Sequence, residues 1–424
     1  MTEKLILILK NNALLKIGML MTFMSVITGM LGYVFQVVAG NILIPREFAT
    51  FTASMGLISV CLAPLGTITM YLAREVAKIS TTANLSSLPR LYYKSLNTVL
   101  IISFFAALLA FYFQGSLNTY LKYDGNYLSI LLIGIILLSG LMAVNIGFLQ
   151  GFQQFIWLAS INSGQTIFKI FIVILFVSSL QLGIDGALVG VSAATLLAWS
   201  VGYFRITSRF NYNKLSNNKE KKETARLGSL MPVILANVSF ALMTQADVVM
   251  VNYYFPAEIA SEYAAAAILG KAVLYLPGGL VLALLPMVAE RHAKSEDSVQ
   301  MVVQAALATL FLSAILSLVY YFFAQEIMQL LFQNKFVNGS QFLKYYGFAI
   351  LPMAMVMVAE YFLIAMGKIL FSWIFFIIAP FQILGVHYFH SDASSVILIV
   401  GLCCTIVMMI GYVLLWTDIK TKRY

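Results

Sequence analysis

The sequence predicts an all-α integral membrane protein with about twelve transmembrane helices, arranged as two parallel-related six-helix bundles around a central cavity. Three observations support this fold class. The chain is 61% hydrophobic and only 10% charged, whereas soluble domains carry about 25% charged residues. Apolar runs of about 20 residues recur along the chain, and each could cross the hydrocarbon core as a helix. A short sequence outline also occurs twice, which indicates a duplicated unit.

Helices are favoured over strands because the short segments of alternating hydrophobicity that build membrane barrels do not occur. A helix also satisfies its own backbone hydrogen bonds, which lipid cannot do. The twelve predicted spans are residues 14–39, 48–72, 95–113, 127–150, 154–178, 183–204, 229–252, 262–286, 299–323, 342–366, 369–389 and 394–416.

The longest polar stretch lies between spans six and seven and divides the chain into two halves. We expect an N-terminal bundle over 1–210, a basic cytoplasmic linker over 211–228 and a C-terminal bundle over 229–424. Because six is an even number, both bundles enter the membrane from the same side. They are therefore related by an axis along the membrane normal, as in several secondary transporters.

The repeated outline is QVVAGNILIPREFA at 36–49 and DVVMVNYYFPAEIA at 247–260. The two segments are offset by 211 residues, half of the 424-residue chain, and six of their fourteen positions are identical. Their first positions differ in charge, since Gln36 is neutral and Asp247 is acidic. The duplication is thus electrically asymmetric at one place.

A turn between two helices accounts for most of this outline. Pro45 and Pro256 cannot prolong a helix and disfavour helical geometry in the residue before them. Glu47 and Glu258 follow where the next helix begins, and a carboxylate there complements the helix dipole. We therefore interpret the shared residues as shaping a turn rather than binding a ligand.

The distribution of Lys and Arg predicts the orientation. Twenty of the 26 basic residues lie on the side that carries both chain termini, which predicts cytoplasmic termini. Four lie in the opposite, outward segments: Arg46, Lys122, Lys335 and Lys344. The net charge of +9 follows from this bias, so we expect no nucleic-acid partner.

Several other chemistries have no sequence signal. The N-terminus lacks a small-residue cleavage site, so we expect no removable signal peptide. The three cysteines, Cys61, Cys403 and Cys404, all lie in apolar runs and predict neither a disulfide framework nor a metal cluster. No phosphate-binding loop, nucleophile elbow or zinc motif occurs, so we expect no ATP hydrolysis, cofactor or metal.

Four charged residues lie within the predicted spans: Lys169, Asp247, Lys271 and Glu360. A charge at mid-bilayer costs about 2.5–3.5 kcal/mol, so each requires a partner or a water-filled cavity. One interpretation is structural: the lysines reach the interface or pair with acids, for example Lys271 with Asp247. The other is functional, with the lysines lining a cationic cavity and the acids exchanging a proton or cation with an ion gradient.

The segment DVVMVNYYFPAEIASEYAAAAILGKAVLYLPGGLVLALLPMVAE resembles the oligosaccharide flippases of the polysaccharide transporter family, within the multidrug/oligosaccharidyl-lipid/polysaccharide exporter superfamily. The matching features are Asp247, the Pro256-Ala257-Glu258 turn, Tyr263 with small residues, Gly270-Lys271 and Leu285-Pro286. LIPREFATFTASMG and FLQGFQQF in the first half are also similar to the family.

The resemblance implies a transporter that moves undecaprenyl-diphosphate-linked oligosaccharide across the bacterial inner membrane for surface polysaccharide synthesis. Lys271 and Lys169 would bind the diphosphate as point charges, and Asp247 and Glu360 would couple transport to an ion gradient. The expected partners are the polyprenyl-linked oligosaccharide, membrane lipids and a polysaccharide polymerase, with the protein itself a monomer.

Three alternatives remain at this point. A multidrug/cation antiporter of the same superfamily would share the fold. A membrane-embedded polymerase or glycosyltransferase would need a larger region outside the membrane than the short outward segment at about 324–341. A purely structural membrane protein would give no reason for Lys271 and Asp247 to lie within apolar spans.

Overall fold

The computed structural model describes residues 13–81, 87–125, 127–210, 230–277, 299–366 and 368–421. The predicted linker 211–228 and the Leu285-Pro286 pair lie outside these residues. The helices of the described chain are α1 Ala13–Ile42, α2 Pro45–Thr81, α3 Ser87–Tyr112, α4 Gln114–Leu121, α5 Leu128–Gly151, α6 Phe155–Ile174, α7 Gly183–Thr207, α8 Met231–Tyr254, α9 Ala257–Gly270, α10 Ala272–Tyr275, α11 Val299–Phe332, α12 Ser340–Ala365, α13 Leu370–Tyr388 and α14 Ala393–Thr421.

Ten helices in the described part of the chain are long and apolar enough to cross a membrane, and they coincide with ten of the twelve predicted spans. The first predicted span corresponds to α1. The eighth predicted span, 262–286, is described only as far as residue 277, and within that part α9 ends at Gly270 and α10 begins at Ala272, with a break at Lys271. The all-helical fold class is therefore confirmed.

Several helices are longer than the predicted spans. α2 continues to Thr81, nine residues beyond the predicted end at 72, and α11 continues to Phe332 rather than 323. Hydropathy detects only the part of a helix that matches the hydrocarbon core, whereas backbone hydrogen bonding continues into the polar interface. The short helix α4 was not predicted, because its eight residues carry no long apolar run.

The helices form two lobes, α1–α7 and α8–α14. In the first lobe α5 packs against α2, α3 and α7, and in the second lobe α12 packs against α9, α11 and α14. The lobes meet mainly where α2 lies along α8.

The repeated outline forms a helix–turn–helix corner in each lobe, as predicted. Pro45 is the first residue of α2, and Pro256 immediately precedes α9. Glu47 and Glu258 lie in the first turns of these helices. We call the end of the protein that carries both corners the turn end and the opposite end the linker end; the basic-residue bias predicts that the turn end faces outward.

Close packing of α2 on α8 joins the lobes along much of their length. A Cβ atom added to Gly56 of α2 would lie 3.3 Å from Val249 and 3.5 Å from the Gln245 carbonyl oxygen. Farther toward the linker end, the Asn237 side-chain amide donates to the Thr67 hydroxyl at 3.2 Å. Small residues at such interfaces let helix backbones approach without a hydrophobic driving force.

The contact between α5 and α2 gives a direct test of this packing. Gly147 lies against Thr69 and Leu72, with an added Cβ only 2.8 Å from the Leu72 Cβ and 3.0 Å from the Thr69 carbonyl oxygen. We predict that Gly147→Leu destabilises the protein by about 1–3 kcal/mol through overpacking, measured as a lower Tm in detergent. Gly134→Leu on the same helix is the control, because a Cβ there has no neighbour within 4 Å. Equal Tm values for the two variants would contradict this packing.

Candidate functional site

The break in the eighth span is built around a glycine. A Cβ on Gly270 would lie 2.4 Å from the Tyr346 ring, so only glycine allows α9 to approach α12 this closely. Lys271 then occupies a turn between α9 and α10. The Tyr320 hydroxyl donates to the Leu269 carbonyl at 2.8 Å beside this turn. Lys271 itself keeps a right-handed helical conformation, with φ −65° and ψ −12°, so the pair Gly-Lys marks a local irregularity between α9 and α10 at which the lysine side chain leaves the helix.

The side chain of Lys271 extends from this break toward α8. Its ammonium donates to the Gln245 side-chain carbonyl at 3.0 Å and lies 4.0 Å from Asp247 Oδ1. Lys271 is 7% exposed and Asp247 is 1% exposed. The structural interpretation of these two charges, in which they pair with each other, is thus the arrangement observed.

Two tyrosines complete the environment of the Asp247 carboxylate. Oδ2 accepts hydrogen bonds from Tyr263 at 3.0 Å and from Tyr346 at 2.6 Å. Oδ1 is buried and accepts no hydrogen bond from the described residues, so the Lys271 ammonium is its nearest compensating charge. We call these residues, together with Gln245, the Asp247 cluster.

The Asp247 cluster lies at the boundary between the two lobes. The backbone of Gln245 contacts Gly56 of the first lobe, while its side chain binds Lys271 of the second. A buried ion pair gains stability only when both partners are present, since removing one leaves an uncompensated charge. Gln245 therefore contacts both the first lobe, through Gly56, and the buried ion pair, through Lys271.

The first lobe has a different arrangement at the matching position. Gln36, the counterpart of Asp247, has a buried side-chain oxygen without a hydrogen bond in the described structure. Lys169 is half-buried on α6, and its ammonium lies 4.1 Å from the ring centroid of Phe35. This is a cation–π contact. Lys169 and Lys271 thus belong to different lobes, and within the described ranges they share no polar partner.

Glu360 does not join the Asp247 cluster. It is 6% exposed and lies on α12, fourteen residues after Tyr346. At 1.5 Å per residue the two positions are roughly 20 Å apart along the helix. The structure therefore brings together Asp247 and Lys271, and leaves the half-buried Lys169 and the buried Glu360 as separate charges.

Sequence reasoning missed Gln245 and Tyr346 as members of the cluster. Gln245 is two residues before Asp247, but an amide in an apolar span carries no information about its partner. Tyr346 lies 99 residues from Asp247, and no local pattern connects them. Two tyrosines on different helices can be recognised as partners of one carboxylate only when the packing of those helices is known.

A cavity of about 330 Å³ lies between the lobes beside the helix break. We call it the apolar cavity. Val34 on its wall is 50% exposed, so the cavity borders the lipid-facing surface. It is lined by Tyr33, Val34, Val37, Val38, Leu269, Ala272, Tyr320 and Leu331.

The composition of this cavity determines what it can bind. Only the tyrosine hydroxyls are polar, and that of Tyr33 is buried without a hydrogen-bond partner in the described structure. Leu269 and Ala272 flank Lys271 in sequence, but neither Lys271 nor Lys169 is among the lining residues. The cavity suits hydrocarbon, and the binding of a diphosphate by the two lysines stays a prediction.

In the described residues no group of three or more His, Cys, Asp or Glu side chains is placed to hold a metal ion. The Asp247 cluster has a single carboxylate and an ammonium beside it. A buried pair of this kind can exchange a proton or an ion-pair partner, and that role for Asp247 stays a prediction.

Two family models match the chain. The model described as "Polysaccharide biosynthesis protein" matches residues 14–292, and the model described as "MatE" matches residues 232–387. No curated protein matches the chain in a sequence comparison.

Solved structures with the same fold are transporters. A multidrug resistance MATE family transporter of the MOP superfamily, in an inward-facing conformation, superposes with a TM-score of 0.74 at 13% identity, covering 93% of this chain and 95% of that one. A multidrug resistance MATE family transporter in an outward-facing conformation gives a TM-score of 0.58 at 14% identity, covering 96% of this chain and 94% of that one. The Vibrio cholerae MATE transporter VcmN in the bent form gives 0.61 at 16% identity, covering 96% and 97%.

The ion pair in the Asp247 cluster predicts a non-additive effect on stability. Lys271→Met should destabilise the protein by about 3–5 kcal/mol, because it leaves the buried Asp247 carboxylate uncompensated. Adding Asp247→Asn should recover most of that loss, measured as Tm in detergent across the double-mutant cycle. Lys169→Met is the control, since its contact is with a ring and not with a carboxylate. A double variant no more stable than Lys271→Met would contradict the pairing.

Proposed function

Because this chain belongs to the polysaccharide biosynthesis protein family, whose model matches residues 14–292, we propose that it is a flippase for undecaprenyl-diphosphate-linked oligosaccharide repeat units. The protein is a multi-pass membrane transporter of the MOP superfamily. The proposed location is the bacterial cytoplasmic membrane, where the flipped units supply O-antigen, capsule or exopolysaccharide synthesis. Delivery would be to a polysaccharide polymerase, and the working unit is proposed to be a monomer.

The observation that carries this proposal is the position of the apolar cavity directly beside the charged helix break. The substrate is amphipathic, with a hydrocarbon tail, an anionic diphosphate and a polar glycan. Leu269 and Ala272 contribute to the cavity wall, and Lys271 lies between them in sequence. A lipid tail in the cavity would therefore hold the diphosphate close to the break.

The ion pair supplies a reason for coupling transport to an ion gradient. Lys271 is held by Gln245 and Asp247, so a diphosphate must compete with the Asp247 carboxylate for the ammonium. Protonation of Asp247 removes that competition and frees Lys271 for an anionic ligand. A ligand with different affinities for two lobe arrangements then shifts the equilibrium between them.

Lys169 is proposed as a second contact for the diphosphate, from the first lobe. Its present partner is an aromatic ring, a weaker contact than an ion pair with a buried carboxylate. Glu360 is proposed as a second ion-exchanging group, separate from Asp247 along α12.

The second candidate function is a multidrug/cation antiporter. The MatE model matches residues 232–387, which include the Asp247 cluster, and the structural neighbours are multidrug transporters by name. In that case a cationic drug would compete with Lys271 for Asp247, and the apolar cavity would hold its hydrophobic part. The two candidates make opposite predictions about the charge of the transported molecule.

Transport in proteoliposomes distinguishes the candidates. We expect purified protein to flip a fluorescent undecaprenyl-diphosphate oligosaccharide and to leave a cationic dye on its original side. The flipping rate of the variant Asp247→Asn/Lys271→Met should fall by at least about tenfold. Its Tm should stay high, because replacing both partners leaves no uncompensated charge in the core. Dye transport without oligosaccharide flipping would select the antiporter, and unchanged flipping by the double variant would refute the role of the ion pair.

Filling the apolar cavity should block the substrate tail. Val34→Trp places a large side chain at the cavity wall, and its 50% exposure leaves room for the ring without overpacking the core. We predict a loss of flipping with unchanged Tm. Met30→Trp is the matched control, because Met30 lies one turn away on α1 and is 65% exposed. Equal loss in both variants would show that the cavity is not the tail site.

A further inference from the structure

The lobes are joined at the turn end by two sets of hydrogen bonds. In the first set, the Asn41 side-chain amide of α1 donates to the Leu331 carbonyl of α11 at 2.9 Å. The Lys335 ammonium donates to the carbonyls of Gly40 at 3.0 Å and Asn41 at 3.2 Å, and also to that of Leu43. A lysine of the second lobe thus caps the last turn of a helix in the first.

The second set is the same arrangement with the lobes exchanged. The Asn252 side-chain amide of α8 donates to the Leu121 carbonyl of α4 at 3.0 Å. The Lys122 ammonium donates to the Phe255 carbonyl at 2.6 Å. Asn41 and Asn252 occupy identical positions in the repeated sequence outline. Each of these asparagines donates a hydrogen bond to a carbonyl of the other lobe. Each lysine donates to a carbonyl of the lobe opposite its own.

These contacts satisfy groups that a helix end leaves without partners. The last carbonyls of α1 and α8 and those of Leu43 and Phe255, the residues that follow these helices, have no intrahelical donor, and this end of a helix carries partial negative charge that favours a cation. Lys122 adopts a left-handed backbone with φ 54°, which is uncommon for a residue with a side chain. Such a conformation persists where surrounding contacts hold it.

Partial burial destabilises the charged form of both lysines. Burial lowers the pKa of Lys122, and the nearby Arg46 charge lowers it further. Burial also lowers the pKa of Lys335, while Glu47 acts in the opposite direction. Both ammonium groups are therefore partly removed from water, and the helix-end carbonyls replace the hydration that they lose.

Aromatic contacts accompany both sets. The Phe48 ring of the first lobe stacks on Phe336 of the second, with centroids 5.2 Å apart. Tyr120 of the first lobe stacks on Tyr253 of the second, with centroids 4.4 Å apart. The hydrogen bonds thus lie within a packed surface rather than at isolated side chains.

We infer that Asn41, Asn252, Lys122 and Lys335 are positioning residues that hold the lobes together at the turn end and set how often this end opens during transport. Every bond in the two sets joins one lobe to the other, so separation of the lobes at the turn end must break both sets. The inference rests on the protein being a transporter and does not depend on which substrate it carries. It also gives a role to two of the four basic residues in the outward segments.

Spin-label distances measure this opening without any substrate. Cys61, Cys403 and Cys404 are first replaced by alanine, and labels are attached at Gly115→Cys on α4 and Leu330→Cys on α11. An added Cβ at Gly115 has no neighbour within 4 Å, and Leu330 is 81% exposed. The two labels report the separation of the lobes at the turn end in lipid nanodiscs.

The variant Lys122→Met/Lys335→Met should raise the ratio of long to short distances by about tenfold or more for each lysine, because the loss of even one hydrogen bond to a charged group has about this effect and Lys335 donates to three carbonyls. Asn41→Ala/Asn252→Ala tests the asparagines in the same way. Lys122→Arg/Lys335→Arg keeps the charged donors and should restore the short distance. Lys344→Met is the matched control, because Lys344 also lies in the outward segments.

Two results would overturn the inference. One is an unchanged distance distribution in both neutral double variants. The other is an equal shift in Lys344→Met, which would show that any loss of positive charge opens this end. A protein that shows the predicted shift but flips no oligosaccharide would refute the proposed substrate and leave the inference intact.

Discussion

The second lobe is organised around one buried carboxylate. Asp247 on α8 receives a tyrosine hydroxyl from α9 and another from α12, and the Lys271 ammonium lies 4.0 Å away at the break in the eighth span. Three helices, α8, α9 and α12, and the break at Lys271 therefore meet at a single charge that is 1% exposed. Because an unpaired buried charge is costly, the helix break, the tyrosines and the lysine must be arranged together.

The two duplicated lobes are similar at the turn end and different inside the membrane. At the turn end the two lobes bind each other through equivalent asparagines and equivalent loop lysines. Inside the membrane the equivalence ends, since Asp247 and its partners occupy one lobe while Gln36 occupies the matching place in the other. The contacts that join the similar lobes at the turn end can be symmetric. A site that responds to one ion gradient, the role proposed for the Asp247 cluster, needs only one carboxylate.

The interface between lobes is also uneven. On one side α2 packs against α8 through Gly56. On the other side a cavity of about 330 Å³ is lined by residues of α1 and by Leu269 of α9 and Ala272 of α10. Hydrocarbon can enter an apolar cavity that borders the membrane, and the charged break lies behind its wall. This combination of an apolar cavity and a nearby buried ion pair is the reason that we propose an amphipathic anion with a lipid tail as the substrate.

The helical membrane fold, the positions of ten spans and the corners at Pro45 and Pro256 can be predicted from the residues alone, because hydropathy and proline geometry act over short stretches of chain. Asp247 and Lys271 also stand out as charges within apolar spans, with their pairing as one of two interpretations. The folded structure was needed to show that they pair, that Tyr346 joins them from 99 residues away, and that Lys169 and Glu360 stay apart. The same holds for Lys122 and Lys335, which the sequence shows only as exceptions to the charge bias. Contacts between distant helices depend on how lobes pack, and no local pattern of residues records that.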